Sequence, residues 1–270
     1  MLKIVTMQDI SCIGKCSLTV ALPVISSLGV EAVPLPTAVL STHTMFSHPH
    51  VRDLSDDLLP IMEHWKKEGF HFDGICTGYL ASEKQIAIAK KLFNDFPCKT
   101  KVVDPCMADN GKLYSGFDMH FVNKMKSLCQ CADVICPNIT EACLLAGIPY
   151  MSTYTEKDIQ DLLLSLSKLG SRITVITGIS FDNKNIGACA YSKETDSFSS
   201  FFTKKEPQSF HGTGDIWAAL FTANLVKGRC FEEALQISCQ FVKEAIHKTL
   251  EEENHNTYGT NFEEVLHSLY

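Results

Sequence analysis

The chain has 270 residues, 45% of them hydrophobic and 20% charged, with a formal net charge of −7. This is globular composition, enough for a single α/β domain spanning 1–270, and its acidic balance supplies no basic field to hold nucleic acid. No run of about 18 apolar residues suggests a membrane span, and no signal-peptide core follows the first basic residue, so a cytoplasmic protein without membrane partners is expected.

Apolar runs of strand length alternate with helix-like segments. Residues 2–7 read as a first strand ending at Gln8-Asp9, and residues 17–28 as a helix closed by Gly29. Residues 30–34 form a short second strand that leads into the polar loop Ser41-Thr42-His43-Thr44, and residues 58–67 form a helix. Residues 73–77 read as the third strand, followed by Gly78-Tyr79 and a helix over 83–93. Residues 101–103 end at Asp104-Pro105, 132–136 at Pro137-Asn138, and 172–176 at Thr177-Gly178. Residues 186–191 and 197–203 look like an antiparallel pair, and two helices, over 216–226 and 232–248, close the chain.

Strands joined through helices imply crossovers, hence a doubly wound, mainly parallel sheet with helices on both faces and a small antiparallel edge. Ligands of such sheets bind outside the carboxyl ends of the strands. The chain places Asp9, Thr77-Gly78-Tyr79, Asp104, Asn138 and Thr177 directly after its apolar runs, so five strand ends deliver polar groups to one rim.

Facing that rim, Phe210-His211-Gly212-Thr213-Gly214-Asp215 precedes an apolar helix. A glycine-rich turn before a helix leaves free N–H donors and the positive end of the helix dipole, which together attract an anion. A carboxylate beside that anion weakens its binding unless it takes a proton, so Asp215 suggests phosphoryl transfer to a hydroxyl; the plainer alternative is an Asp capping an ordinary helix. Asp104 and Asp109 flank a turn and fit a hydrated Mg2+ beside phosphate, which keeps several waters and uses one or two carboxylates; Asp-Pro and Asn-Gly are also simply turn dipeptides. Asn138 followed by Glu141 is a capping-box pattern, compatible with Glu141 also ordering metal-bound water. His211 fits either phosphate contact or loop packing.

Other nucleotide and metal signals are absent. Ile13-Gly14-Lys15 looks like the end of a phosphate-binding loop, but position 9 is Asp where glycine is needed, and no Gly-x-Gly-x-x-Gly follows the first strand. The twelve cysteines include no Cys-x2-Cys pair, mostly sit in apolar runs, and are expected to be reduced thiols.

Together these stretches resemble the ribokinase-like superfamily, and within it the pyridoxal/pyridoxamine kinases, over nearly the whole chain. The resemblance implies an ATP- and Mg2+-dependent phosphotransferase acting on the 5′-hydroxymethyl group of a vitamin B6 vitamer. It implies that Asp215 is the general base, with Gly212, Thr213 and Gly214 as the anion hole. Asp104, Asn138, Glu141 and Thr177 are implied at the nucleotide, and Asp104, Asp109 and Glu141 around Mg2+, through water. Asp9, Thr44, Tyr79 and Asp215 would contact the vitamer, and a homodimer is implied. Many pyridoxal kinases carry Ser where this chain has Asp9, and some relatives carry a lid cysteine where this chain has Asn110-Gly111-Lys112, so covalent capture of an aldehyde is not expected. The alternatives are a hydroxymethylpyrimidine kinase of the same superfamily and a non-catalytic vitamer-binding pseudokinase.

Overall fold

The computed structural model describes residues 1–269. Strand β1 (Lys3–Ile13) runs straight through Gln8 and Asp9. Helix α1 (Leu18–Ser27) returns the chain to β2 (Glu31–Thr42), which pairs with β1 in parallel from Lys3–Glu31 to Ile13–Thr42. Both strands are longer than their apolar runs suggest, because Gln8, Asp9 and Ser11 are polar yet only 3%, 4% and 1% exposed. A register shift between Gln8 and Ile10 marks a bulge, a device that re-aims a side chain without ending the strand. Ser41 and Thr42, expected in a loop, end β2 instead, and β3 (Val51–Asp53) folds back on it antiparallel.

Next come α2 (Ser55–Lys67), β4 (Gly74–Thr77), α3 (Glu83–Asp95) and β5 (Thr100–Val103). A small hairpin of β6 (Ala108–Asp109) and β7 (Lys112–Leu113) leads to α4 (Met119–Cys129), β8 (Val134–Ile135), α5 (Ile139–Ala146) and α6 (Glu156–Ser167). Strands β9 (Ile173–Ile179), β10 (Asn185–Ser192) and β11 (Ser197–Lys204) precede α7 (Thr213–Val226), α8 (Phe231–Glu251) and a 3-10 segment (Phe262–Leu269).

The main sheet has nine strands in the order β11-β10-β9-β8-β5-β4-β1-β2-β3. Its six central strands are parallel, while β10–β11 and β3 supply antiparallel edges at opposite ends. One core packs α2 to α6 on one face, around residues such as Met7, Ile75 and Leu92; the other packs α1, α7 and α8 on the opposite face, around Ile4, Val175 and Phe221. Two cores of this kind are what buries a parallel sheet on both sides. Strand β1 lies between β4 and β2, so the connections leave it in opposite directions, and this switch point at the carboxyl ends of β1 and β4 is where sheets of this kind form their binding crevice.

Phe221 is fully buried on α7 and stacks on Trp217 at 4.7 Å between ring centroids. Phe221→Ala is expected to cost about 3–5 kcal/mol of stability, read as a lowered urea midpoint with unchanged slope.

Candidate active site

Gly212 begins the site. It adopts φ 81°, and a Cβ there would lie 2.1 Å from the Lys15 carbonyl oxygen, so only glycine fits. Helix α7 follows, buried through most of its length from Ile216 to Asn224. No side chain caps its amino end, so the first-turn N–H groups have no partner within the helix. Gly214 is exposed and has open space before it. The Thr213 hydroxyl donates to the Phe210 carbonyl at 3.1 Å and closes the turn. Uncapped donors beside open space are what an anion site at this loop would require.

Asp215 lies in the first turn of that helix, and its Oδ1 is buried with no hydrogen-bond partner. Burial pushes its carboxyl up to about 7; the Ser17 N–H opposes that rise, and the charge of Asp9 adds to it. An ordinary helix cap would spend its oxygen on a backbone N–H. An orphan oxygen on a carboxyl that titrates near neutrality suits a group that accepts a proton.

Asp9 stands beside it at the crevice. Its Oδ1 accepts from the Ser17 hydroxyl at 2.7 Å and its Oδ2 from the Ser11 hydroxyl at 2.9 Å. Burial still raises its pKa, while the two serines pull the other way. Tyr79 is half-buried and stands 5.8 Å from the Phe117 ring, and burial, with the nearby Asp9 carboxylate adding to it, raises its phenol. Thr44 is different: it is exposed on a turn, and its neighbour His43 is the buried residue. The Met45 N–H donates to His43 Nδ1 at 3.2 Å, which leaves Nε2 to donate to the Tyr258 carbonyl at 3.1 Å. The His43 ring lies 4.4 Å from that of His211, whose pKa falls to about 4 through burial and the nearby His43. An uncharged, packed His211 favours loop packing over phosphate contact.

On the far side of the crevice, Asp104 follows β5 directly, and burial together with the charges of Glu141 and Asp215 holds its carboxyl well above the usual range. Glu141 and Asn138 form the full capping box of α5. Glu141 Oε1 accepts from the N–H groups of Met107 (2.8 Å) and Ala108 (3.4 Å), Oε2 accepts from Asn138 N–H (2.9 Å), and Asn138 Nδ2 donates to the Ala108 carbonyl (2.8 Å). These two residues therefore clamp the 104–109 segment onto α5. Thr177 lies within β9 rather than at its end and bridges to Asn138. Asp109 is exposed on β6, where its carboxylate accepts from the backbone and side chain of Asn110.

The expected set of Asp104, Asp109 and Glu141 is thus not assembled as a direct metal shell: among the described residues no three His, Cys, Asp or Glu come together to hold an ion. The oxygens of Glu141 are engaged by N–H donors, and those of Asp109 turn to Asn110. The charge balance still favours a cation. Within 4 Å, none of Asp9, Asp104, Glu141 and Asp215 pairs with Lys, Arg or His among the described residues. Crowded carboxylates without a counter-charge fit a hydrated divalent ion reached chiefly from Asp104.

Three contributors escape a linear reading. Ser11 lies two residues beyond Asp9 on the same strand, a period-two signal. Ser17 looks like a helix cap, and Cys106 looks like part of a turn, yet Cys106 feels the charges of Asp104, Asp215, Glu141 and Asp9. All twelve cysteines are free thiols, with Cys12 exposed rather than buried.

A family model described as phosphomethylpyrimidine kinase matches residues 20–260. A Bacteroides thetaiotaomicron protein assigned as a phosphomethylpyrimidine kinase is 37% identical, with a TM-score of 0.96 over 99% of this chain and 93% of that one; a second crystal form of it was solved with pyridoxal. Pyridoxal kinase from Lactobacillus plantarum is 31% identical, with a TM-score of 0.93 over 100% of this chain and 96% of its own. The thiamine biosynthetic bifunctional enzyme TH1 of Arabidopsis thaliana chloroplasts is 27% identical over 83% of this chain, which spans only 42% of that protein's length.

The raised Asp215 carboxyl has a cost in stability. Its folded value of about 7 exceeds the ordinary 3.8, so between those values the native state keeps a proton that the unfolded chain releases, and stability falls as pH rises through that window. Asp215→Asn is expected to raise the thermal midpoint at pH 8, by a free energy of at most about 4 kcal/mol, and to change it little at pH 4. Calorimetric melting at the two pH values checks this.

Proposed function

The chain belongs to the phosphomethylpyrimidine kinase family, phosphotransferases with an alcohol acceptor on a ribokinase-like fold, and from that premise we propose that it phosphorylates the 5′-hydroxymethyl group of a vitamin B6 vitamer with ATP. The observation that carries this reading is the Asp215 carboxyl, with its buried, unpartnered Oδ1, one residue beyond the open glycine loop.

The chemistry follows from that placement. The acceptor hydroxyl lies against Asp215, which takes its proton as the new O–P bond forms and the terminal phosphoanhydride bond of ATP breaks, releasing ADP. The N–H groups at Gly212, Thr213 and Gly214 face the charge that develops on the transferred phosphoryl group, and they are already in place before the reaction. Phosphoryl transfer asks chiefly for such alignment and neutralisation. Asp104, positioned by the Asn138–Glu141 clamp, would hold hydrated Mg2+, which supplies positive charge at the phosphate oxygens when bound; Thr177 borders the nucleotide side. Asp9 with its two serines, and Tyr79, border the acceptor ring.

A second acceptor, hydroxymethylpyrimidine, is favoured by the description of the family model. A non-catalytic binding protein would have no use for a desolvated carboxyl beside an anion site. The homodimer and cytoplasmic location implied by the resemblance form part of the proposal, and sedimentation velocity tests the first.

ADP release is expected with at least one of pyridoxal, pyridoxine and pyridoxamine; turnover confined to hydroxymethylpyrimidine would move the assignment to the second acceptor. Asp215→Asn should keep ATP binding and lose about 10²–10⁴-fold in kcat. For the unaltered enzyme, kcat/KM should climb with pH through about 7, where Asp215 gives up its proton, rather than near 4. Asp9→Asn is expected to raise the acceptor KM about 10-fold or more, the loss of one charge-assisted hydrogen bond, with the KM for ATP unchanged.

A further inference from the structure

The structure assigns a role to the segment after α8: residues 255–263 lock the turn between β1 and α1, and through that turn they fix the glycine loop and Asp215, with Lys15 as the positioning residue. The contacts form a continuous series. Gly212 of the loop sits against the Lys15 carbonyl, so closely that a Cβ would lie 2.1 Å away. On its other side Lys15 meets Gly259, where a Cβ would lie 2.5 Å from the Lys15 Cβ. Lys15 is thus held between a glycine of the loop and a glycine of the C-terminal segment.

The Lys15 ammonium anchors the arrangement, donating to Glu263 Oε2 at 2.9 Å and Asn261 Oδ1 at 3.2 Å and lying 5.9 Å from the centroid of the Phe262 ring. The segment is itself secured. Phe262 is 2% exposed in the core beneath α7 and α8, and the Asn261 N–H donates to the Thr249 hydroxyl at 2.7 Å. Two further contacts join it to the same loop: the Tyr258 carbonyl accepts from His43, which packs on His211, and His255 meets Phe210 edge-on at 5.7 Å.

The turn also carries strain. Lys15 and Ser17 have φ of 47° and 50°, in the left-handed region that side chains disfavour. Such a backbone persists only where its surroundings over-determine it, and the C-terminal segment supplies those surroundings. Ser17 connects the strain to the reacting groups, since its hydroxyl holds Asp9 and its N–H favours the charged form of Asp215. The 255–263 segment reaches the reacting groups only through the β1–α1 turn and the glycine loop among the contacts described above. Its contribution is placement, and small displacements of reacting groups cost large factors in rate.

The kinetic arm of the test rests on the function proposed above, and the exchange arm does not. Lys15→Met keeps the apolar stem and removes the anchor; Lys15→Arg keeps the charge. Lys15→Met is expected to lower kcat about 10-fold or more with the acceptor KM held within about twofold, and Lys15→Arg to restore kcat to within about threefold. Hydrogen exchange of the amides at 212–216 should speed up about tenfold in Lys15→Met and stay at the unaltered rate in Lys15→Arg. Glu263→Gln, on the exposed side of the same pair, is expected to show the same changes to a smaller degree, and it serves if Lys15→Met does not fold. Unchanged exchange at 212–216, or a rise in KM with kcat intact, overturns the inference. If the unaltered protein turns over no alcohol, the proposed function falls while exchange still decides the positioning role.

Discussion

Helix α7 can be enclosed by the sheet, α1 and α8 because its side chains from Ile216 onward are apolar apart from Thr222 and Asn224, which bond back to the helix's own carbonyls. That enclosure desolvates the Asp215 carboxyl in its first turn. A carboxyl in that position has lost hydration and gained no partner for Oδ1. Burial therefore raises its affinity for a proton. The enclosure stops short of Gly214, which stays exposed at the amino end beside donors that no cap satisfies. One packing arrangement thus produces both a desolvated carboxyl and, beside it, backbone donors that no cap satisfies.

The rest of the crevice is arranged around the electrostatic consequence. Asp9 and Asp104 bring further negative charge close to Asp215, and the nearby thiols of Cys16 and Cys106 are raised by burial first and by that charge second. The protein answers this charge locally with hydroxyls on Asp9 and backbone N–H groups on Glu141, while among the described residues Asp104 accepts only the Cys106 N–H and the Asp215 Oδ1 accepts none. The rigid parts are those that satisfy their own groups: the capping box of α5 and the turn held between Gly212 and Gly259.

Much of the candidate site is legible in the order of residues because it depends on local rules. The glycine loop before an apolar helix, the polar residue after each short strand, and the Asn138–Glu141 spacing all follow from backbone geometry over a few residues. The readings that needed correction involve burial by distant segments. Gln8, Asp9 and Ser11 look like loop residues until β2 extends along them. Thr44 and His43 are neighbours of similar polarity, and only the approach of Gly14, His211 and Tyr258 makes His43 the buried one. Asp104 and Asp109 read alike, yet the β6–β7 hairpin turns Asp109 toward Asn110 and solvent.

By itself, the sequence determined the doubly wound class and the identity of the loop that faces the rim, since strand and helix periodicity and glycine tolerance are properties of the chain at short range. It also determined that Asp215 stands in the first turn of a buried helix. The tertiary structure decided what that placement means: how far the carboxyl is desolvated, which carboxylates share its field, and which segment holds the turn beneath it. Those depend on distances between residues as far apart as 15 and 259, and no local rule encodes such distances, because they are set by how two cores close around one sheet.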